Sequence, residues 1–548
     1  MNLPLYIPVL APVFVATVGY FLKRRIYQVV LLAFQIVQTV LVTGLFLSVR
    51  TAGARYEVLS GWPEGVGIAL SVDTISAVLV MLAGWFYLFL LTFNFRKLYM
   101  DNLFQFLFVT LQGLLIGLFM ASDIFNVYVL LELATIVIGI LIMYKRDKQT
   151  IYDGMLYLMM NLVSMAFFLL GIGFVYKRMG TLDMLVMAEM AATVSDPRSL
   201  IIPYALLLMP VGVKAAFFLL FAWLPRAHGA PSAPSVVSAL LSGVQVKAGV
   251  YLFIRLTQIF DSALPTREFF LAVGFLTAIT GFFLAIAQKD IKLILAYHTV
   301  SQVGLIVIGL SAGTDAAFWG GVYHIVNHAF FKALLFLTAG LIIRVYHTRT
   351  ITEIHGVFRR MPLVGIAGMA GVLGITGAPL FNGSVSKYLI QTAFADQILE
   401  IGIYLVNLGT AVSFAKFSSM FFGRPPADTR RRPFDRPLEP GEQPDPFTSV
   451  VALMMGLACL TGGILAKPVI GFLFGVDVSV AGAYYLEKAL IFAATVGVAV
   501  LIYLFGVRKA HFLDRIKNHH VAFNDIALGM LVYFVATGVF LYFVSAGA

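Results

Sequence analysis

Cysteine and charged residues are both scarce in this chain of 548 residues. Its one cysteine, Cys459, excludes a disulfide framework and any multi-cysteine metal or iron–sulfur centre built by this chain alone. Charged residues make up 12% of the sequence and hydrophobic residues 60%, which is too much apolar surface for one soluble core. The chain is therefore expected to cross a membrane many times and to carry no cofactor. If the chain has a partner complex that carries redox centres, those centres lie in other subunits.

Sixteen apolar stretches are long enough to cross a bilayer, which takes about 20 helical residues. The stretches lie at 5–22, 27–48, 69–94, 103–120, 123–144, 154–176, 200–222, 235–258, 267–287, 292–312, 316–343, 361–395, 401–423, 447–473, 485–506 and 526–546. Their number predicts an all-α polytopic membrane protein.

Lysine and arginine are distributed unevenly between the alternating loops. If Lys23, Arg24 and Arg25 lie in the cytoplasm, the loops on that side hold 24 of the 38 basic residues and the opposite loops hold 7. Cytoplasmic loops are enriched in lysine and arginine, so this bias predicts that both termini lie on the outer side of the membrane. The expected location is the cell's inner (plasma) membrane. The bias also explains most of the net charge of +11 without nucleic acid. The polar segment 424–446 is predicted to be a cytoplasmic loop, either solvated or lying against a neighbour or lipid headgroups.

Two of the apolar stretches are interrupted near a lysine. The interruptions are Pro210 and Gly212 before Lys214, and Gly377, Pro379 and Gly383 before Lys387. Unwound backbone is tolerated in a membrane only inside protein or beside a water-filled cavity. Interrupted helices at corresponding positions of two halves therefore indicate a transport site.

Equal lengths divide much of the chain into two halves. Segments 103–259 and 267–423 have the same length, and each holds five spans. An odd number of spans inverts the second half relative to the first, which predicts two inverted five-helix repeats. N-terminal transmembrane helices 1–3 in 1–102 precede them. The loop 424–446 and the C-terminal transmembrane helices of 447–548 follow.

Six ionisable residues lie within the apolar stretches. They are Glu132, Lys214, Lys247, Lys332, Lys387 and Lys416. A charge at the centre of a bilayer costs about 3 kcal/mol even on the translocon-insertion scale, so each must face a partner, water or a pathway. In a chain otherwise built of Phe, Leu, Val and Gly, this pattern predicts the movement of protons or small cations along a pathway that these residues line.

Glu132 and Lys214 are predicted to form a pair. A lone carboxylate at this depth would take up a proton, whereas a lysine beside it allows it to stay ionised. Gain or loss of the partner would then switch its proton affinity. Lys214 is the favoured partner because the interruption of its helix gives it room to shift. The alternative is a static ion pair that only fixes helix packing.

His324, His328 and Lys332 follow one another at intervals of four residues and therefore share one helix face. Histidine changes charge near neutral pH, so this stripe can support a water-linked proton relay. Two alternatives stay open, because histidines at this spacing can bind zinc or can pack as neutral rings. Zinc is disfavoured, since no HExxH glutamate lies between them and a lysine is the next group on that face.

Four further residues are weaker candidates for gating or support. Asp73 opens a span and can equally be a helix cap. Arg226 and His228 lie at a cytoplasmic helix end, where charge costs little. His298 can cap or form a hydrogen bond near the cytoplasmic start of its own helix.

Three segments carry extended motifs. Residues 220–249 contain LFAWLPRAHGAPSAP, VSALLSG and KAG, residues 288–304 read QKDIKLILAYHTVSQVG, and residues 324–333 read HIVNHAFFKA. They resemble the signatures FxxWLPDAHxxAPxPxSALLxG…K, QxDIKRxLAYSSxSQxG and HxxNHAxFKA of antiporter-like subunits. Those subunits belong to respiratory complex I, Mrp-type cation/proton antiporters and membrane-bound hydrogenases. The chain is most similar in pattern to the Mrp D-type and the middle complex I antiporter-like subunits.

The resemblance implies a fourteen-span helical fold with two inverted five-helix repeats, so 14–16 transmembrane helices are expected. It also implies roles along a proton pathway. These are Glu132 and Lys214 as the coupling pair, Lys247 as the central protonatable group, His324 and His328 as the relay, and Lys387 as the terminal lysine. The chain departs from the family pattern at Arg226, where aspartate is usual, and in two apparent extra spans after residue 447. His298 stands where serine is commoner.

Together these features predict a proton-translocating subunit of a larger ion-pumping complex, with Na⁺/H⁺ exchange left open. The expected partners are other membrane subunits, lipid and the transported ion, with no metal and no nucleic acid. The complex can be a redox-driven oxidoreductase, a membrane hydrogenase or an exchanger that uses an ion gradient. One alternative is a non-transporting scaffold subunit of the same complex, and another is a standalone transporter for an organic solute.

Overall fold

The structure, a computed structural model, describes residues 4–547 apart from 62–66, 96, 98, 230–232, 393, 395–396, 424–443, 479–481, 511–512 and 514–522. Within the described residues, 13 helices are long and apolar enough to cross a membrane, and Ile7–Gly19 and Pro362–Thr376 are shorter apolar helices. Helices predominate because a span in lipid must satisfy its backbone hydrogen bonds internally. The predicted all-α polytopic fold is confirmed, whereas the inverted repeats remain a prediction. The loop 424–446 lies outside the described residues except at its last three positions.

As far as the structure describes it, the N-terminal part contains seven α-helices and one small antiparallel strand pair. These elements are α1 (Ile7–Gly19), α2 (Arg24–Ala52), β1 (Arg55–Val58), β2 (Ala69–Val72), α3 (Thr74–Asn94), α4 (Asn102–Met120), α5 (Ile124–Ile142), α6 (Lys148–Met179) and α7 (Met184–Ala192). Five of the helices begin after an aspartate whose carboxylate accepts a backbone N–H of the first turn. The aspartates are Asp73, Asp101, Asp123, Asp147 and Asp183. Each cap satisfies donors that the helix itself leaves unpaired at its start.

The central part contains the helices that carry most of the ionisable residues. They are α8 (Ile201–Lys214), α9 (Trp223–Gly229), α10 (Ser235–Leu240), α11 (Val246–Phe260), α12 (Arg267–Ala287), α13 (Ile291–Ser311), α14 (Asp315–Tyr346), α15 (Val357–Arg360), α16 (Pro362–Thr376), α17 (Asn382–Gln391) and α18 (Gln397–Ser418). A π-helical turn at Leu241–Gln245 joins α10 to α11.

Two helix breaks divide the interrupted stretches, but the first lies after Lys214 and not at Pro210 and Gly212, where the sequence predicted it. Helix α8 runs through its internal proline and ends only at Lys214, after which Ala216 and Leu219 adopt left-handed conformations with φ of 56° and 72°. Between α16 and α17, Gly377 and Leu380 have φ of 79° and 69°. The first lysine therefore precedes its break, whereas the second lysine follows its break on α17.

In the described residues after α18, four further helices of nine or more residues follow. They are α19 (Pro446–Ile464), α20 (Ala466–Phe474), α21 (Gly482–Leu501) and α22 (Phe523–Gly547). Helix α22 packs on the break after α8, where a Cβ at Gly529 would lie 2.8 Å from the carbonyl oxygen of Leu219. Helix α21 packs against α18 and reaches the cavity next to α17.

Helices α12 and α13 approach each other closely through glycine. A Cβ at Gly281 would lie 2.4 Å from the backbone nitrogen of Ser301, and one at Gly304 would lie 2.4 Å from that of Ala278. Small residues of this kind allow two membrane helices to pack backbone against backbone.

We therefore expect Gly281→Leu to force α12 and α13 apart and to reduce the amount of folded complex. Overpacking of this kind typically costs about 1–3 kcal/mol or more. Gly173→Leu on α6 is the matched control, because a Cβ there meets nothing within 4 Å. The thermal midpoint of the purified complex measures the effect. Equal midpoints for the two variants would contradict the proposed close packing.

Candidate functional site

Lys214 ends α8 inside the protein and faces α5. Its ammonium group donates a hydrogen bond to Thr135 Oγ1, and its side chain is buried at 2% exposure. Thr135 lies three residues after Glu132, so both are on the same face of α5. Among the described residues, no direct ion pair joins Lys214 and Glu132, although each lies within electrostatic range of the other. The predicted partners are thus neighbours that a threonine separates.

The break after α8 is held in place by its surroundings. Trp223 Nε1 donates a hydrogen bond of 2.6 Å to the carbonyl oxygen of Val213, one residue before Lys214. From the other side α11 approaches so closely that a Cβ at Gly249 would lie 2.7 Å from the carbonyl carbon of Lys214. The position of the lysine is therefore fixed by backbone packing as well as by its own hydrogen bond.

Lys247 occupies the centre of the site. Its Nζ donates a hydrogen bond of 2.5 Å to the carbonyl oxygen of Ser242 and lies 2.5 Å from His328 Nδ1. Ser242 belongs to the π-helical turn, whose wider hydrogen-bond spacing directs this carbonyl toward the lysine. Lys247 is 1% exposed, so both contacts are made without solvent.

The two predicted histidines continue the line from Lys247. The rings of His328 and His324 have centroids 6.4 Å apart, and His324 Nδ1 lies 2.8 Å from Ser386 Oγ. His324 Nε2 lies 3.1 Å from Gln302 Oε1. Ser386 directly precedes the terminal lysine on α17. A line of polar groups therefore leads from α11 through α14 to the second broken helix.

The geometry around His328 bears on the zinc alternative. Its Nδ1 is occupied by a lysine, and a cationic amine does not share a nitrogen with zinc. Within the part of the chain that the structure describes, no group of three or more His, Cys, Asp or Glu residues could hold a metal.

His328 Nε2 has no hydrogen-bond partner among the described residues. A buried polar atom of this kind requires a partner, and water is the small molecule that suits it.

The other three lysines are held by backbone carbonyl groups. Lys387 donates to the carbonyl oxygen of Ile375 at 2.8 Å, near the end of α16, and Lys332 donates to that of Leu295 at 2.6 Å. Lys416 donates to three carbonyl oxygens at and just after the end of α12, at 2.6–3.2 Å, and thereby caps that helix. Lys416 is thus separate from the line of contacts, whereas Lys387 adjoins its end.

Asp73 is both a helix cap and one half of an ion pair. Its carboxylate accepts hydrogen bonds of 2.7 and 2.8 Å from the Arg255 guanidinium, which also donates to Ser76 Oγ. Burial raises the pKa of Asp73, but the hydrogen bonds and charge of Arg255 outweigh it, so the pKa lies below its usual value. Asp73 therefore joins α3 to α11 as a supporting residue, at a point about two helical turns along α11 from Lys247.

This ion pair makes a testable contribution to stability. Because the pKa of Asp73 is lowered on folding, its stabilisation is present above about pH 4 and is lost as the pH falls through the lowered value. We expect the thermal midpoint of Asp73→Asn to lie below that of the wild type at neutral pH and to approach it as the pH falls through the lowered pKa of Asp73. Asp261→Asn, at an exposed position, is the control. A constant gap between wild type and Asp73→Asn would contradict this role.

Arg226, His228 and His298 surround the line rather than belong to it. Arg226 is half-buried, with its guanidinium 5.7 Å from the ring centre of Tyr152. His228 stacks on Phe336 with centroids 4.9 Å apart, and His298 packs on an α18 phenylalanine at 4.7 Å. Among the described residues neither ring nitrogen of His228 or His298 has a hydrogen-bond partner. Their gating or support role remains a prediction.

Sequence reasoning missed the uncharged members of the site. Thr135 accepts a hydrogen bond from Lys214, and Gln302 and Ser386 each contact a ring nitrogen of His324. A usable signal existed, since Ser386 adjoins Lys387 and Gln302 lies within one of the motifs. Lys292 was also overlooked as a buried charge, at 6% exposure, because it stands at the start of its helix.

Comparison with known proteins gives consistent results. Residues 121–413 match the family described as "NADH:quinone oxidoreductase/Mrp antiporter, TM". The D-type component of the Na(+)/H(+) antiporter of Bacillus subtilis is 29% identical over 422 residues, which cover 74% of this chain and 84% of that protein. The N-type component of the NADH-quinone oxidoreductase of Desulforudis audaxviator is 31% identical over 407 residues, covering 72% and 80%.

Solved structures support the same fold. A chain of the Mrp complex from Dietzia sp. DQ12-45-1b matches with a TM-score of 0.76 at 21% identity, covering 90% of this chain and 98% of that one. A chain of the archaeal membrane-bound sulfane sulfur reductase matches with a TM-score of 0.77 at 24% identity and the same coverage. The resemblance predicted from the motifs is confirmed, and the chain belongs to the transmembrane family of NADH:quinone oxidoreductase and Mrp antiporter subunits.

Proposed function

We propose that the chain is a proton-translocating subunit of a larger ion-pumping membrane complex. The observation that carries this proposal is the series of contacts from Lys247 through His328 and His324 to Ser386, beside Lys387. Groups that can hold or pass a proton follow one another there within a buried, membrane-spanning core. The names of its relatives, which are components of a Na(+)/H(+) antiporter and of an NADH-quinone oxidoreductase, agree with this assignment.

Each ionisable residue has a proposed role. Lys247 is the central carrier, which exchanges its proton with His328, and His324 passes it toward Lys387. Glu132 and Lys214 form the coupling pair, since Lys214 can exchange its bond to Thr135 for a closer approach to the carboxylate. Charge changes in a neighbouring subunit would then drive two alternating steps. In one, Glu132 and Lys214 separate, and in the other, Lys247 takes up a proton. Lys332 and Lys416 are proposed as further members of the pathway, outside the line of direct contacts.

We propose the plasma membrane as the location, with both termini outside. Lys97, Lys145, Lys292, Arg344 and Arg349 converge at one face, which would be the cytoplasmic face by the positive-inside rule. The proposed partners are other membrane subunits. The proposed ion is the proton, and Na⁺/H⁺ exchange is the second candidate because of the antiporter relatives.

Transport by the complete complex in everted membrane vesicles tests the proposal. Because His328 joins Lys247 to His324, we expect His328→Phe to lower proton movement at least about tenfold while the complex still assembles. His355→Phe, in the loop before α15, is the matched control and should transport normally. The scaffold alternative predicts normal transport by both variants, and that result would exclude the proposed function. Adding Na⁺ to vesicles that hold a pH gradient separates proton pumping from Na⁺/H⁺ exchange.

A further inference from the structure

Two adjoining cavities lie at the face where α13 begins and α14 ends. Their volumes are about 280 and 510 Å³, and both are lined by Tyr99, Ser235, Gly340 and Arg344. The two cavities are neighbours that share these residues, and together they are called the basic cavity, with a smaller and a larger chamber. Gly340 keeps the junction narrow, since a Cβ there would lie 2.0 Å from Ser235 Oγ.

Positive charge dominates the lining of the basic cavity. Five basic residues from different segments of the chain line it: Lys97, Lys145, Lys292, Arg344 and Arg349. Among the described residues, no aspartate or glutamate lines either chamber. Burial lowers the pKa of Lys97, and the nearby charge of Arg344 lowers it further, whereas Asp445 raises it. Arg349 pairs with Asp290 at 2.8 Å, so that charge is compensated within the protein.

Lys292 is the most deeply placed of these cations. Its Nζ donates one hydrogen bond of 2.9 Å to the carbonyl oxygen of Ala233, and the side chain is 6% exposed. A neutral carbonyl does not balance a buried charge. The acidic neighbour of Lys292 is Asp290, and that carboxylate also pairs with Arg349. The positive-inside rule explains basic residues that extend into water or headgroups. It does not explain a buried lysine that lines the smaller chamber together with Lys145, Arg344 and Arg349.

The two chambers differ in chemistry. The smaller one is lined by Lys145, Lys292 and Arg349, whose cationic donors suit the oxygens of a phosphate group. The larger one adds apolar side chains, those of Phe93, Leu337 and Leu341. A ligand with a charged end and an apolar remainder would fill both.

We propose that the basic cavity is a binding site for a phosphate group, with Lys292 and Arg344 as its principal cationic contacts. Basic pockets between membrane helices on the cytoplasmic side bind lipid headgroups of this kind. The apolar lining of the larger chamber favours the phosphate of an anionic phospholipid over free phosphate. The phospholipid and free phosphate share the phosphate group, and this group is what the basic residues recognise.

The basic cavity also adjoins the proposed proton route. The effect of a bound phosphate on that route is the one part of this proposal that rests on the proposed function. Lys292 lies three residues before Leu295, or about 4.5 Å along α13. The carbonyl oxygen of Leu295 accepts the hydrogen bond from Lys332. A bound phosphate would favour the protonated form of Lys332. Binding can be measured without transport, so failure of one proposal does not imply failure of the other.

The test uses the purified complete complex in two kinds of nanodisc. In one arm, inorganic phosphate is titrated into nanodiscs of phosphatidylcholine. In the other, nanodiscs that contain phosphatidylglycerol are held in phosphate-free buffer, and native mass spectrometry measures lipid retained on the subunit. We expect binding in at least one arm, and the arm that responds identifies the source of the phosphate.

Two variants and one control complete the experiment. Arg344→Gln and Lys97→Gln should each weaken binding about fivefold, since each removes one cation from the cavity. Arg359→Gln removes a positive charge from the same face but outside the cavity and should bind like the wild type. Equal thermal midpoints show that the variants are folded. Absence of binding in both arms, or equal weakening by all three variants, would overturn the proposal.

Discussion

Lys247→Met is expected to abolish ion translocation while the complex still assembles. The substitution keeps most of the side-chain volume but removes the ammonium group that contacts Ser242 and His328. Because this amine is the group on α11 that contacts His328 on α14, we expect transport to fall by a factor of about 100 or more. Initial rates of ion uptake into proteoliposomes of the purified complex measure this loss.

The control for this experiment is Lys467→Met. Lys467 is 58% exposed and pairs with Asp477 at 3.3 Å, far along the chain from the site. It should leave both transport and subunit composition unchanged. If Lys247→Met transports at the wild-type rate in a complex of normal composition, Lys247 is not the central carrier.

Glu132→Gln and Lys214→Met are expected to lower coupled transport by about tenfold or more each, and the double variant should be no worse than the stronger single variant. Residues that act as one unit show this lack of additivity. Their separation by Thr135 makes the pair adjustable, because Lys214 can leave the hydroxyl group and approach the carboxylate. Transport rates of the three variants in vesicles measure the coupling.

Glu189→Gln on the short helix α7 is the matched control, since that carboxylate is exposed. The static ion-pair alternative predicts a different pattern, in which the variants destabilise the complex but transport normally per assembled complex. Additive losses in the double variant would also contradict a common role for Glu132 and Lys214.

The last two membrane helices lie beside the two helix breaks. Helix α22 packs on the break after α8 through Gly529. Helix α21 supplies Lys488, whose Nζ lies 3.5 Å from Gln391 Oε1 and 5.1 Å from the ring centre of Tyr388. These contacts border a cavity of about 560 Å³ that also contains Lys387. The two additional spans thus shield the broken helices from lipid, which suits backbone that lacks regular hydrogen bonds.

The sequence predicts the broad arrangement because membrane spans have strong signals. Hydrophobic runs of about 20 residues, glycine and proline near Lys214 and Lys387, and histidines at intervals of four residues all have local causes. The structure joins these features across α11, α14 and α17, as their shared polarity suggests.

What the sequence could not predict depends on contacts between distant segments. Periodicity cannot tell that a threonine separates Lys214 from Glu132, or that Lys416 caps α12. Nor can it tell that Arg255 pairs with Asp73 across 182 positions. The convergence of five basic residues on one cavity likewise requires the folded packing of helices that are far apart in the chain.

The most direct test of the central claim is a cryo-electron microscopy map of the complete complex at a resolution that shows ordered water. We expect water density at His328 Nε2 and at further positions that connect Glu132, Lys247 and Lys387 into one hydrogen-bonded route. Dry apolar packing between these residues, with no water joining them in any state of the complex, would contradict proton translocation by this chain.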